Sequence, residues 1–178
     1  MLERRRNGYS LAELLIICAV LAIAATVALP SAQPVAEFRA DAAASEIVQA
    51  VRFARQEAMR TGAYRMLVCD LAKKQLAVTL PGGSADDANA PKDPLTKMSY
   101  KLVLGQAPAG NNATLGACSF KFADTTTAAT LGFDASGNPV RGSGASAAQA
   151  LTSGTILVSI GNARRTIAID ANARVTSS

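Results

Sequence analysis

The most constraining feature of this sequence is an apolar run over residues 11–29, in which Glu13 is the only charged side chain. A helix of nineteen residues is about long enough to cross the hydrocarbon core of a bilayer. Residues 4–6, a few positions upstream, are all arginine, and basic residues near a membrane helix favour the cytoplasmic side. The run therefore predicts a single membrane helix that is followed by an exported domain.

A cleaved secretory signal peptide also begins with basic residues and an apolar segment. Its apolar region is usually shorter and contains no acid, and here Pro30 interrupts the best small-residue cleavage site, which ends at Ala32. A carboxylate at the centre of a bilayer costs roughly 2.5–3.5 kcal/mol, so Glu13 predicts a functional partner. The alternative is an interfacial glutamate that only marks where the membrane begins.

Residues 8–15, GYSLAELL, resemble the signal of type IV prepilins and type II secretion pseudopilins. In that family a prepilin peptidase cuts after the glycine of a short basic leader and methylates the new amino terminus. The resemblance implies that Gly8 ends the leader, that Tyr9 becomes the methylated first residue, and that Glu13 is the fifth residue of the processed chain. Pro30 falls where the helix proline of the family stands. Tyr9 replaces the usual phenylalanine, and Ala12 replaces a larger aliphatic residue.

The same resemblance implies a partner for Glu13, namely the amino-terminal ammonium group of the neighbouring subunit in a filament. Opposite charges attract far more strongly in a low dielectric than in water, so this contact would set the axial register between subunits. The implied location is the bacterial inner membrane, with the carboxyl-terminal domain in the periplasm, and then a pilus or pseudopilus filament. The implied partners are prepilin peptidase, the inner membrane, and other minor and major pilins or pseudopilins.

Beyond Pro34, apolar side chains recur at helical spacing, and Gly62 follows as a natural helix stop. This pattern predicts an amphipathic helix. Arg52 and Arg55 on its polar side alternate with acids such as Glu57, which favours a solvated face over an anion site. The predicted division of the chain is a leader at 1–8, a membrane and polymerisation half-helix with a Pro30 kink at 9–34, an amphipathic half-helix at 35–62, and a periplasmic β-rich domain at 63–178.

After residue 62, short β-like runs alternate with turn residues. This organisation predicts an α+β, pilin-like fold, in which the long amino-terminal helix packs on a mostly antiparallel sheet. Long loops are predicted at 81–97 and 141–153. The predicted strands are 63–69, 75–80, 99–104, 117–123, 128–133, 154–160, 164–169 and 173–176.

Three cysteines, Cys18, Cys69 and Cys118, occur without metal-ligand spacing. Cys18 falls inside the apolar run. Cys69 and Cys118 lie in the exported part, where an oxidising compartment would allow a disulfide between them. Two buried free thiols are the alternative.

The order of elements carries a second resemblance. One long helix, a series of strands, the turn LGFDASGNP at 131–139 and two closing runs at 154–159 and 164–169 are similar to the GspH/FimT family of minor pilins and pseudopilins. Chains of that family often end in a Gly-Arg-x-Arg-like strand, for which this sequence has only ANARV at 171–175. The resemblance implies a minor pilin of a type IV pilus that helps to prime or cap assembly. The alternative is a minor pseudopilin of a type II secretion system.

Some FimT-like pilins bind DNA, and here the candidate phosphate contacts are Arg164, Arg165 and Arg174. Neighbouring residues of a strand face opposite sides, so Arg164 and Arg165 share a ligand only across a bulge. A DNA-binding minor pilin that acts in DNA uptake therefore stays an alternative, with DNA as its partner. The chain contains no histidine, the commonest general base and metal ligand, and no phosphate-binding loop motif. We expect no enzymatic activity, no metal site and no cofactor.

Overall fold

The structure is a computed structural model that describes residues 10–28, 32–84, 86–106, 112–142 and 149–178. Gly8, Tyr9 and Pro30 lie outside these residues. The chain divides into two compact units, Met1–Ala32 and Gln33–Ser178. The first contains helix α1, Leu11–Ala28, and the second contains nearly all of helix α2, Ala32–Thr61.

Helix α2 is amphipathic, and the side chains of its buried stripe are mostly alanine. Because alanine has a small side chain, the helix backbone can approach the sheet closely. The helix ends where Gly62 adopts a left-handed φ of 62°, and the N–H of Ala63 donates a 3.2 Å hydrogen bond back to the carbonyl of Ala58. The buried stripe consists of Ala40, Ala43, Ala44, Ile47, Ala50, Val51, Ala54 and Ala58.

Ten strands follow α2 in the described residues, and every recorded pairing between them is antiparallel. The order across the sheet is β10-β9-β8-β7-β6-β1-β2-β3, and β4 pairs with β8 and β5. The strands are β1 Arg65–Asp70, β2 Gln75–Thr79, β3 Lys101–Val103, β4 Thr114–Phe122, β5 Thr127–Ala128, β6 Thr130–Phe133, β7 Pro139–Arg141, β8 Gln149–Ile160, β9 Ala163–Asp170 and β10 Val175–Ser177.

The core lies between the alanine stripe of α2 and one face of the sheet. Phe120, Phe122 and Phe133 are among its largest fully buried side chains, and aliphatic residues of β1, β8 and β9 complete it. The predicted α+β architecture, with an amphipathic helix on an antiparallel sheet, is confirmed. Among the described residues, no helix combines the length and apolar character needed to cross a membrane.

The prediction of a loop over 141–153 is wrong at both ends. Strand β7 ends at Arg141, and β8 begins at Gln149, five residues before the predicted start. Its first residues pair on two sides, since Ala150 lies opposite Val140 of β7 and Leu151 lies opposite Phe122 of β4. The composition of these residues is typical of a loop. They form strands nevertheless, because strand formation depends on packing against cross-strand neighbours more than on composition.

Candidate functional site

The start of α1 places Ser10 and Glu13 in a helix-capping arrangement. The N–H of Glu13 lies 3.3 Å from the Ser10 hydroxyl oxygen and 3.0 Å from the Ser10 carbonyl oxygen. Serine followed three residues later by glutamate is the sequence of a capping box, and a carboxylate in the first turn also suits the helix dipole. Glu13 is therefore placed to stabilise the helix start. This local role is separate from the predicted contact with a neighbouring subunit.

Helix α1 exposes apolar side chains around its circumference. A helix that is apolar on every side is typical of segments that are covered by lipid or by other protein. The described side chains of α1 therefore form an apolar surface. Its large exposed side chains are Leu11, Leu14, Leu15, Ile16, Ile17, Val20, Leu21 and Ile23.

Arg165, one of the three candidate DNA contacts, is committed to an ion pair with Asp41 of α2. Its Nε–H donates to Oδ1 of Asp41, and its Nη2–H donates to Oδ2 at 3.2 Å. The hydrogen bond from Arg165 holds the pKa of the Asp41 carboxyl below its usual value, and the same bond raises the pKa of Arg165. Part of this guanidinium's charge is therefore satisfied within the protein.

Arg164 lies on the other face of β9. In the β8–β9 register Arg165 is opposite the buried Val158, whereas Arg164 is opposite Ser159, and the pairing shows no shift between these positions. Successive strand residues point to opposite faces, so Arg164 faces away from α2. The bulge that would let both arginines reach one ligand is absent from this described pair of strands.

Arg174 lines a groove between α2 and β10 instead. We call this site the basic groove, and its volume is about 500 Å³. It brings Arg174 together with Arg52 and Arg55 of the helix, and the Nε–H of Arg55 donates a 3.0 Å hydrogen bond to the carbonyl of Gly137. The other lining residues are Val51, Gln56, Met59, Asn172, Ala173 and Val175.

The three candidate DNA contacts are therefore not brought together. Arg165 meets α2 at Asp41, and Arg174 meets it near Arg52, eleven residues further along. At about 1.5 Å per helical residue, these positions are roughly 16 Å apart. Sequence reasoning assigned Arg52 and Arg55 to a solvated helix face and so missed the cluster. The spacing of three residues between Arg52 and Arg55 indicated that both lie on one face of the helix. It gave no indication of Arg174, which lies far away in the sequence.

A disulfide joins Cys69 of β1 to Cys118 of β4, with a Cα–Cα distance of 6.4 Å. This confirms the predicted pairing over the alternative of two free thiols. Strand β1 pairs with β2 and β6, whereas β4 pairs with β5 and β8, so the bond joins two different parts of the sheet. Cys18 is exposed on α1 and remains a free thiol.

In the part of the chain that the structure describes, no three histidine, cysteine or acidic side chains group closely enough to hold a metal ion. The first unit provides an apolar helix with a capped glutamate, and the second provides a disulfide-linked sheet and a groove of three arginines. These features suit contacts with other macromolecules.

Comparison with known proteins supports the same architecture. Residues 43–173 match the family model described as type II transport protein GspH. No curated protein matches significantly. Two solved structures of the minor pseudopilin EpsH from the type II secretion system of Vibrio cholerae align with TM-scores of 0.51 and 0.50, at 12% and 14% identity. They cover 80% and 79% of this chain and 97% and 96% of the compared chains. The type IV minor pilin FimU of Pseudomonas aeruginosa aligns at 0.44 with 18% identity, over 78% of this chain and 87% of that one.

Proposed function

Because this chain belongs to the GspH family, whose members are minor pilins and pseudopilins, we propose that it is a minor pilin of a type IV pilus. It enters the filament through its amino-terminal helix and helps to prime or cap assembly. One observation supports this most directly. The region of the family match, residues 43–173, follows an apolar helix whose third residue is Glu13, five residues beyond Gly8, with its N–H capped by Ser10.

In this proposal prepilin peptidase cuts after Gly8 and methylates Tyr9. The processed chain stays in the bacterial inner membrane through its first helix, with the disulfide-linked domain in the periplasm, until it joins other pilins. Glu13 then meets the amino terminus of a neighbouring subunit, and Pro30 supplies a kink between the two half-helices. The exposed apolar surface of α1 supports such a transfer, because lipid and packed helices can each cover it.

A minor pseudopilin of a type II secretion system is the second candidate. The description of the matching family model, type II transport protein GspH, favours it. Both candidates use the same processing and the same helix-mediated assembly.

Two measurements in the bacterium that encodes this chain test the proposal. The first is intact mass and amino-terminal sequencing of the membrane-bound protein, for which we expect a chain that begins at methylated Tyr9. A chain that keeps its first eight residues, or one that starts near Gln33, would contradict prepilin processing. A Gly8→Val variant is the matched control, and it should stay uncut.

The second measurement compares a deletion strain with its complemented parent. A minor pilin predicts fewer surface pili with normal protein secretion. Normal piliation with accumulation of secreted proteins in the periplasm would instead identify the pseudopilin.

A further inference from the structure

The basic groove between α2 and β10 has the features of a peptide-binding site. We propose that it binds an extended, acidic segment of a partner protein, which lies along the open edge of β10 and places carboxylates against Arg52, Arg55 and Arg174. This inference goes beyond the proposed function, because it concerns the groove itself and holds for a pilus or a secretion filament.

The charge of the groove favours an acidic occupant. Its lining contains three arginines and no aspartate or glutamate. Within the described residues, the side chains of Arg52 and Arg174 make no hydrogen bond or ion pair, and Arg55 donates only through Nε, to a carbonyl. Arginine guanidinium groups bind carboxylates in a two-point geometry, so three of them in one groove form a receptor for carboxylate side chains.

The nearby carboxylates are occupied within their own turns. Asp170 accepts hydrogen bonds from the backbone N–H groups of Asn172 and Arg174, each at 2.8 Å. Asp134, beside the carbonyl that Arg55 contacts, accepts from the N–H groups of Ser136 and Asn138. Neither forms a salt bridge with an arginine of the groove, so the positive charge there is not neutralised by these groups.

The edge of β10 supplies the backbone partners that an extended segment needs. Strand β10 is last in the sheet order and pairs only with β9. The carbonyl of Arg174 accepts from Asp170, and Ser178 exchanges two hydrogen bonds with Thr166. Antiparallel pairing alternates, so the N–H and C=O groups of Val175 point away from β9. A peptide can add to an edge of this kind through main-chain hydrogen bonds.

The floor of the groove favours a peptide over a nucleic acid. Met59 and Val175 provide apolar surface, and no aromatic side chain lines the groove. Single-stranded nucleic acids usually require aromatic stacking platforms as well as positive charge. A strand with alternating acidic and aliphatic side chains can present carboxylates to the arginines while its aliphatic residues contact the floor.

The test uses the purified full chain in a non-ionic detergent and a fluorescein-labelled peptide of alternating glutamate and valine. Fluorescence anisotropy should show saturable binding that weakens as salt is added. A matched lysine–valine peptide should not bind. A glutamate–valine peptide with methylated backbone nitrogens should bind more weakly, since it cannot donate hydrogen bonds to the edge of β10.

Variants assign the binding to the groove. Arg52→Ala and Arg174→Ala should each weaken binding about fivefold, near the upper range for one exposed ion pair. Arg174→Glu should abolish it. Arg164→Ala is the control, because Arg164 lies on the opposite face of the sheet from α2, and it should bind like the parent. Thermal unfolding of each variant confirms that it is folded.

The proposal fails if the glutamate–valine peptide does not bind, if the lysine–valine peptide binds equally well, or if Arg164→Ala and Arg174→Ala have equal effects. A single-stranded DNA oligomer provides the competing outcome. If DNA binds and the peptide does not, and Arg174→Glu abolishes the DNA binding, the groove is a phosphate site and the peptide proposal is overturned.

Discussion

Arg165 of β9 and Asp41 of α2 form a two-point ion pair between residues 124 positions apart in the sequence. Both side chains lie near the surface, where the helix meets the sheet. The pair adds a polar contact beside the core, which the alanine stripe of α2 forms with the apolar face of the sheet. Its contribution to stability should depend on pH.

The first prediction concerns this pH dependence. Because Arg165 lowers the pKa of Asp41 in the folded protein, the folded state binds this proton less readily than the unfolded state. The stabilisation is fully present above the unfolded aspartate pKa of about 3.9 and is lost as pH falls through the lowered folded-state pKa. Urea unfolding of the parent and of Asp41→Asn should differ at neutral pH and converge in acid.

Arg164→Gln is the control for this comparison, since it removes a charge from the same strand without touching Asp41. If the difference in unfolding free energy between the parent and Asp41→Asn persists unchanged into strong acid, the ion pair is not the source of the pH dependence. Additive effects of Asp41→Asn and Arg165→Gln in a double-mutant cycle would do the same, because residues in contact should couple.

The local signals in the sequence predicted much of this fold. The helical period beyond Pro34 and the stop at Gly62 located α2, and most strands were placed within a few residues of their observed bounds. The exceptions were β7 and the first residues of β8, whose composition is typical of loops. Their strand structure depends on partners in β4 and β6, and single-sequence patterns do not contain this information.

The second prediction concerns the disulfide. Cys69 and Cys118 are separated by 49 positions, and cross-linking a loop of that size stabilises a protein by about 2–4 kcal/mol, mainly by restricting the unfolded chain. Replacing both residues by serine should lower the free energy of unfolding by that amount. Reductant should destabilise the parent and leave the double variant unchanged. Cys18→Ser is the control and should match the parent, because Cys18 is a free thiol.

The third prediction compares two glycines with left-handed backbones. A Cβ on Gly137 would come within 2.8 Å of Met59 Sδ and 3.2 Å of Arg55 Nε, whereas a Cβ on Gly161 would meet nothing within 4 Å. Gly161→Ala should cost only the backbone strain, about 1–2 kcal/mol. Gly137→Ala should cost more and should also weaken peptide binding in the basic groove, since it displaces two lining residues. Equal unfolding free energies for the two variants would contradict this.

The fourth prediction tests the close contact between α2 and the sheet. Ala54 is fully buried in the helix stripe, so Ala54→Leu inserts a larger side chain where no space is available. Overpacking of this kind costs about 1–3 kcal/mol, which urea unfolding can measure. Ser45→Leu, on the exposed side of the same helix, should change stability by less than about 0.5 kcal/mol. If the two substitutions have equal effects, the alanine stripe does not set the helix–sheet distance.

The candidate site was less predictable than the fold. The disulfide between the two exported cysteines could be proposed from the oxidising compartment alone. That Arg164 and Arg165 point to opposite faces of the sheet followed from the alternation of side chains along a strand. The basic groove could not be predicted, because it joins Arg52 and Arg55 to Arg174, more than a hundred residues away. Only the topology, which places β10 beside the second half of α2, brings these side chains together.

The fifth prediction separates the two roles available to Glu13. In the structure its backbone N–H is capped by Ser10, and glutamine serves at this position of a capping box as well as glutamate does. Glu13→Gln therefore keeps the helix start and removes only the negative charge. If the carboxylate pairs with the amino terminus of a neighbouring subunit, Glu13→Gln and Glu13→Ala should both be processed and membrane-inserted but poorly incorporated into filaments.

Ser10→Ala is the matched control for that comparison. It weakens the cap and keeps the carboxylate, at a cost to helix stability of about 1 kcal/mol. It should enter filaments nearly as well as the parent, as measured by immunoblotting of sheared filaments against membrane fractions. If Ser10→Ala fails and Glu13→Gln succeeds, the local cap is what assembly requires. Charge pairing between subunits would then have no part in the role of Glu13.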